Sequence, residues 1–137
     1  MLEVSVEHLG AVQFEIKTRG LSIVCDQPEE NGGFNEGMTP PELMLASLGS
    51  CAAFYAVDYL KRQKLAVEGL KVQVTATKAK NPARLDSFKI DLGVPAILSD
   101  EQVKGMEDAV HRCLIHNTLL QPPTIALEVK TGAPSNG

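Results

Sequence analysis

Two of the three cysteines, Cys51 and Cys113, lie in segments whose apolar residues recur at helical spacing. Each cysteine falls on the apolar stripe of its segment, which predicts that both thiols face the protein interior. A disulfide between them would join two distant helices, provided that their Cα atoms approach within about 4.4 to 6.8 Å. A dithiol that acts on a peroxide needs this placement. The alternative is that both cysteines only pack, because free cysteine is among the most buried residue types.

The segment that carries Cys51 is predicted to be a helix that begins at a capping box. Thr39 is the N-cap residue, prolines follow in the first turn, and Glu42 reaches back from the third helical position. The helix is expected to run to about Arg62. Residues 43–57 are too apolar on every side for a surface helix, which predicts a central, buried one. Four small residues surround the cysteine and allow either a ligand or another backbone to come close: Gly49, Ser50, Ala52 and Ala53.

A second capping box, Ser99–Gln102, begins the helix that leads to Cys113. Apolar residues then repeat at three- and four-residue steps, so that Cys113 is expected to end this helix and to face inward. Asn117 is predicted to take the left-handed conformation that closes a helix. His116 is placed near the same C-terminus, where a partial positive charge is favourable.

The rest of the chain reads as strands and connections. Residues 2–25 alternate with period two and contain two glycine turns, which predicts an antiparallel meander. Residues 26–38 are expected to form a loop. Residues 66–78 and 84–97 alternate around Asn81-Pro82, which predicts a β-hairpin, and residues 125–129 are expected to form a closing strand.

Composition limits the classes of protein that this chain can belong to. The 137 residues are 44% hydrophobic and 22% charged, which fits one globular domain over residues 1–130 with a frayed tail over 131–137. A net charge of -4 argues against nucleic acid as a partner.

No membrane partner is expected either, because the longest apolar run is shorter than the roughly 18 residues of a membrane span. The N-terminus lacks the pattern of an export signal. Three cysteines, an odd number, fit a reducing compartment, so the expected location is cytoplasmic.

Two stretches carry a resemblance to a known family. Residues 33–51, GFNEGMTPPELMLASLGSC, resemble the entrance and core helix of the OsmC/Ohr family of peroxide-reducing proteins, and residues 113–119, CLIHNTL, resemble its second cysteine segment. The order of strands, cysteine helix, hairpin, cysteine helix and strand agrees over nearly the whole chain. The resemblance implies an α+β, OsmC-like fold, with antiparallel sheets around a central buried cysteine-bearing helix, and an intertwined homodimer with its sites at the subunit interface.

The resemblance also implies an activity, the thiol-dependent reduction of organic hydroperoxides in oxidative-stress defence. Cys51 would be the attacking thiolate and Cys113 the resolving thiol, with an external dithiol as reductant and neither metal nor bound cofactor. The attacking thiolate needs a cation, because apolar surroundings raise the pKa of a thiol. The matching residues for the family's arginine and glutamate are Arg19 and Glu42. Leu114 stands where family members often have proline, which indicates a divergent branch.

Both supporting assignments have simpler alternatives. Glu42 precedes Cys51 by about two and a half helical turns, so it lies on the opposite face and could act only from the partner subunit. The alternatives are that Glu42 serves the capping box alone and that Arg19 is an exposed hairpin residue. Cys25 is expected to pack, and His111 and His116 lack the further ligands of a zinc site.

A second class of function stays open. The same dimeric scaffold could bind a small apolar or electrophilic ligand beside reduced, unreactive cysteines without being an enzyme.

Overall fold

The computed structural model describes residues 1–132 and has two antiparallel sheets and three α-helices. The first sheet contains β1 (Ser5–Gly10), β2 (Gln13–Thr18) and β3 (Leu21–Cys25), and a short 3-10 helix (Glu29–Asn31) follows it. The long helix α1 (Pro40–Arg62) comes next, and then the hairpin of β4 (Lys71–Ala79) and β5 (Arg84–Gly93). The helices α2 (Asp100–Val110) and α3 (Leu114–Leu120) complete the chain. The predicted α+β class, the meander and the hairpin are confirmed.

The N-terminal sheet is a plain meander in the order β1-β2-β3. Its second turn is a two-residue loop at Arg19 and Gly20, both with positive φ (51° and 79°), which is the backbone of a type I′ hairpin turn. Apolar side chains of this sheet and the residues before it remain exposed: Val4, Val6, Leu21, Ile23 and Val24. The rest of the described chain therefore leaves this sheet largely uncovered.

Asp26 holds the loop between the N-terminal sheet and α1. Its carboxylate is fully buried and accepts hydrogen bonds from Gln13 Nε2 (3.0 Å) and from the backbone N–H groups of Gln27 (2.7 Å), Phe34 (3.1 Å) and Glu36 (3.1 Å). Burial alone would raise the pKa of Asp26, but these four donors outweigh it and the pKa is lowered. The ionised carboxylate thus fixes the path along which the chain enters α1.

Helix α1 begins at the predicted capping box. The Thr39 hydroxyl accepts from the Glu42 N–H (3.4 Å), and the Glu42 carboxylate accepts from the Thr39 N–H (2.9 Å). The predicted box at Ser99 and Gln102 is also present, at the start of α2. Both helices begin where the sequence predicts because each cap is a local interaction over four residues.

One face of α1 packs against β4, α2 and α3. The buried core lies there and joins α1 to α2: Ala52, Ala56, Leu60, Met106 and Val110. Gly49 lets β4 approach, since a Cβ at this position would lie only 3.0 Å from Val74 Cγ2. The small residues Gly49, Ala52 and Ala56 therefore serve close packing on this side.

The opposite face of α1 is bare, and Phe54 is 69% exposed. By length and composition alone, α1 could cross a membrane, but core helices of soluble proteins meet the same two criteria. The prediction that no apolar segment is long enough to span a membrane is wrong, because the apolar run alone is shorter than the whole helix. That α1 is not a membrane span stays a prediction, supported by its packing on three other elements.

The second half of the chain differs from the sequence prediction in three places. Helix α2 ends at Val110, and the i→i−3 hydrogen bond from the Cys113 N–H to the Val110 carbonyl (3.0 Å) turns the chain. Cys113 is therefore the N-cap residue of α3 and not the end of α2, and Asn117 lies within α3. Residues 125–129 form no strand, because no strand of residues 1–132 pairs with them, and they are exposed. Most of the predicted tail, residues 133–137, lies outside the described residues.

Candidate functional site

The structure brings Cys51 and Cys113 together. Cys51 lies in the middle of α1 and is partly exposed, whereas Cys113 is fully buried at the start of α3. The two thiols come from separate helices but lie near enough for Cys51 to raise the pKa of Cys113. Both are free thiols. The sequence-based expectation that both face inward holds fully for Cys113 and in part for Cys51.

The surroundings of Cys113 favour its protonated form. Burial raises the pKa of its thiol, and the hydrogen bond with Cys51 raises the pKa further. The backbone N–H groups of His116 and Ile115, in the first turn of α3, lower it in part, although the sulfur makes no regular N-cap hydrogen bond. Cys113 is therefore suited to keep its proton and to donate it toward the sulfur of Cys51.

Arg19 lies apart from this pair in a single chain. It is exposed in the turn between β2 and β3, and the N-terminal sheet is not among the elements that pack closely on α1. A nearby cation would lower the pKa of a thiol, but within residues 1–132 no arginine or lysine is among the causes that shift the Cys113 pKa in either direction. Over the described residues, a single chain thus provides no cation that acts on the buried thiol.

Glu42 is held in the capping box at the start of α1. Its carboxylate accepts from both the N–H and the hydroxyl of Thr39 (2.9 Å each), which lowers its pKa. It lines a groove of about 490 Å³ between α1 and β4, with Leu45 and Gly49. That Glu42 does not reach Cys51 of its own chain stays a prediction.

A larger cavity, of about 710 Å³, opens between α1, β5 and α3. We call it the histidine cavity, because His111 and His116 lie on its wall with their ring centroids 5.4 Å apart. The other lining residues are mainly apolar and include Met44, Leu48, Leu85, Phe88, Leu119 and Leu120. An irregularity in the hairpin shapes one side, where Ser87 has a φ of 53° and the pairing shifts between Thr75 and Thr77.

The prediction that His116 lies near the C-terminal end of a helix is wrong. It lies in the first turn of α3, because the chain turns at Cys113 and starts a new helix. Its Nδ1 atom is buried, and no group among residues 1–132 forms a hydrogen bond with it. Sequence reasoning missed this residue as a functional candidate, and its only signal was that two histidines flank Cys113.

Metal binding finds no support in the described part of the chain. Residues 1–132 contain no group of three or more histidine, cysteine, aspartate or glutamate side chains placed to hold a metal ion. The site contains two neighbouring thiols, one partly exposed and one buried, and a mainly apolar cavity with two histidines lies between α1, β5 and α3.

Comparison with known proteins identifies the sequence family and the fold. The family profile described as OsmC-like protein matches residues 33–128. No curated protein matches the chain.

Solved structures that resemble the chain include a candidate osmotic stress induced and detoxification response protein from Psychrobacter arcticus 273-4. It has 22% sequence identity and a TM-score of 0.78, over 86% of this chain and 88% of that one. An OsmC like protein from Mycoplasma pneumoniae has 20% identity and a TM-score of 0.75, over 88% and 87%. An organic hydroperoxide resistance protein from Elizabethkingia anophelis has 19% identity and a TM-score of 0.61, over 86% and 88%. At these identities the likeness shows a shared fold.

Proposed function

Because the chain belongs to the OsmC-like protein family, we propose that it reduces organic hydroperoxides with the thiols of Cys51 and Cys113, as part of oxidative-stress defence. One observation carries this proposal: a partly exposed thiol and a fully buried thiol, from two different helices, lie near enough for one to shift the pKa of the other. A dithiol peroxidase needs one sulfur that the substrate can reach and a second sulfur beside it.

The exposure of the two sulfurs supports the roles that we propose for them. Cys51 attacks the terminal oxygen of the hydroperoxide as a thiolate, the O–O bond breaks, and the alkoxide leaves as the alcohol after taking a proton. The resulting sulfenic acid on Cys51 condenses with the thiol of Cys113, which forms the disulfide and releases water. An external dithiol then reduces the disulfide by thiol–disulfide exchange. Such a cycle suits a reducing compartment, and we place the protein in the cytoplasm.

Among the described residues of a single chain no cation acts on the buried thiol, which is one reason to propose an intertwined homodimer. Three apolar surfaces remain uncovered in a single chain: the N-terminal sheet, the outer face of α1 around Phe54, and residues 125–129. Exposed apolar surface of this extent is typical of a protein interface. A partner subunit that covers α1 would make that helix central, and it could supply Arg19 and Glu42 of the partner subunit to the Cys51 site.

Turnover of cumene hydroperoxide with excess dithiothreitol tests the proposal. The wild-type protein should consume peroxide catalytically, Cys51→Ser should lose turnover, and Cys113→Ser should lose the intramolecular disulfide. Cys25→Ala is the matched control, since Cys25 is a buried cysteine that the mechanism does not use. Equal turnover in wild type and Cys51→Ser would refute the assignment.

The second candidate, a non-enzymatic scaffold that binds a small apolar or electrophilic ligand, is favoured by the histidine cavity. It predicts that the protein retains such a ligand while peroxide leaves both thiols intact.

Sedimentation tests the dimer separately, and a stable monomer at micromolar concentration would contradict it.

A further inference from the structure

The histidine cavity has the size and the lining of a small-molecule site. Its volume of about 710 Å³ falls within the range of about 300 to 1,000 Å³ that is usual for ligand pockets. The wall is mainly apolar, and two of its few polar side chains, His111 and His116, lie together with ring centroids 5.4 Å apart. Such a wall suits a ligand with an apolar body and one polar head. Among residues 1–132, neither Cys51 nor Cys113 lines this cavity, so the site is separate from the thiol pair.

The ring of His116 indicates which kind of head group the cavity accepts. Its Nδ1 atom is buried and has no hydrogen-bond partner among residues 1–132, while the half-buried side chain lines the cavity. The edge of the ring that faces the cavity therefore lies away from Nδ1, toward Nε2. Among backbone groups, a buried N–H without an acceptor is rarer than a buried carbonyl without a donor. The same preference assigns the proton of the neutral imidazole to Nε2, so the head group must accept a hydrogen bond.

The charged groups on the wall favour an anionic head. Lys89 lines the cavity, and so does His111, a residue type that can be protonated near neutral pH. Asp86 is the only acid among the described residues that line it, and its Oδ1 already accepts the Ser87 N–H (2.8 Å). Lys89 also pairs with Asp91 at 3.6 Å, but both side chains are exposed, and such pairs are weak. Helix α1 adds only apolar side chains to the wall.

We propose that the histidine cavity binds a small carboxylate with an apolar body. The carboxylate accepts a hydrogen bond from Nε2–H of His116 on the wall that carries Lys89 and His111, and the body packs on the leucines and Phe88. No bond is made or broken at this site. The inference goes beyond peroxide reduction and holds whether or not the thiols react.

Isothermal titration of the full chain with octanoate at neutral pH tests the proposal. Octanoate should bind, whereas octylammonium, which has the same chain and a cationic head, should not. Hexanoate should bind about 15-fold more weakly than octanoate, because each methylene that leaves water contributes about fourfold in affinity.

Substitutions on the wall separate the head-group contact from packing. His116→Phe keeps a ring but loses the donor, so octanoate should bind about 10-fold more weakly. His116→Gln keeps an N–H at a similar distance from the backbone and should retain most of the affinity. His8→Phe, on β1, is the matched control and should bind as the wild type does.

Two exposed residues test the charge argument without disturbing the interior. Asp86→Asn removes the opposing charge but keeps an acceptor for the Ser87 N–H, so octanoate should bind more tightly. Lys89→Gln should bind it more weakly. These two variants keep the proposal testable if His116→Phe does not fold.

The inference is overturned if the wild type does not bind octanoate, if octylammonium binds equally well, or if His116→Phe keeps the wild-type affinity. It is also overturned if Asp86→Asn and Lys89→Gln leave the affinity unchanged. Cys51→Ser distinguishes this failure from that of the proposed function, since it should lose peroxide turnover and bind octanoate as the wild type does. Octanoate binding by a wild type without peroxide turnover would refute the proposed function and leave this inference standing.

Discussion

Gly105 in α2 controls how closely α2 packs on α1, and its replacement by alanine should have opposite effects in two backgrounds. A Cβ at Gly105 would lie 2.8 Å from Cε1 and Cζ of Tyr59 on α1, and closer still to the hydroxyl. Such overlap forces a shift that costs about 1 to 3 kcal/mol. Against this, alanine in place of glycine inside a helix gains about 1 kcal/mol. We therefore expect Gly105→Ala to lower the free energy of unfolding by about 1 kcal/mol, the middle of that difference.

In a Tyr59→Ala background the obstacle is absent, and the same Gly105→Ala change should raise the free energy of unfolding by about 1 kcal/mol. Urea unfolding of the four proteins, at one protein concentration because a dimer's stability depends on it, gives the coupling between the two positions. The expected coupling is about 1 to 3 kcal/mol, equal to the overlap cost. If Gly105→Ala changes stability equally in both backgrounds, the close packing of α2 on α1 at Tyr59 is refuted.

Other perturbations test the loop, the cap and the buried thiol. Asp26→Asn should destabilise the protein at neutral pH and shift its acid unfolding. The folded pKa of Asp26 lies below the ordinary carboxyl pKa. The stabilisation by this carboxylate is therefore fully present above the ordinary pKa and is lost as the pH falls through the folded pKa. Acid titration followed by circular dichroism checks this, and an unchanged acid transition would count against it. Thr39→Ala removes the cap of α1 and should lower the free energy of unfolding, measured with urea, by about 0.5 to 2 kcal/mol. An unchanged free energy of unfolding would show that the cap does not stabilise the helix. Cys51→Ala should lower the pKa of Cys113 but leave it above its ordinary value, because burial remains. Site-resolved alkylation against pH measures this, and an unchanged profile would show that the thiols do not interact.

Local patterns in the sequence predict much of the fold. The capping boxes at Thr39 and Ser99 and the two-residue turn at Arg19 each depend on residues within four positions, and all three occur in the structure. Residues 125–129 have a strand pattern but no strand. A strand needs a neighbour to accept its hydrogen bonds, and the described chain supplies none to this segment.

The candidate site was predictable in part. Resemblance to the family selects Cys51 and Cys113 as a pair, since their separation along the chain gives no local signal of contact. Arg19 and Glu42 illustrate the limit, because their distance from the thiols depends on the assembly of subunits and not on sequence spacing. His116 was overlooked because the burial of its Nδ1 atom depends on the turn at Cys113 and on the walls that β5 and α1 provide.

Peptide mapping after oxidation tests the redox pairing of Cys51 and Cys113 most directly. One equivalent of cumene hydroperoxide is added to the fully reduced protein, and each cysteine is then located by mass spectrometry. We expect a Cys51–Cys113 disulfide within one chain, two hydrogens lighter than the reduced protein, with Cys25 still a free thiol. Oxidation that leaves Cys51 reduced, or that joins Cys51 to any sulfur other than Cys113, would contradict it.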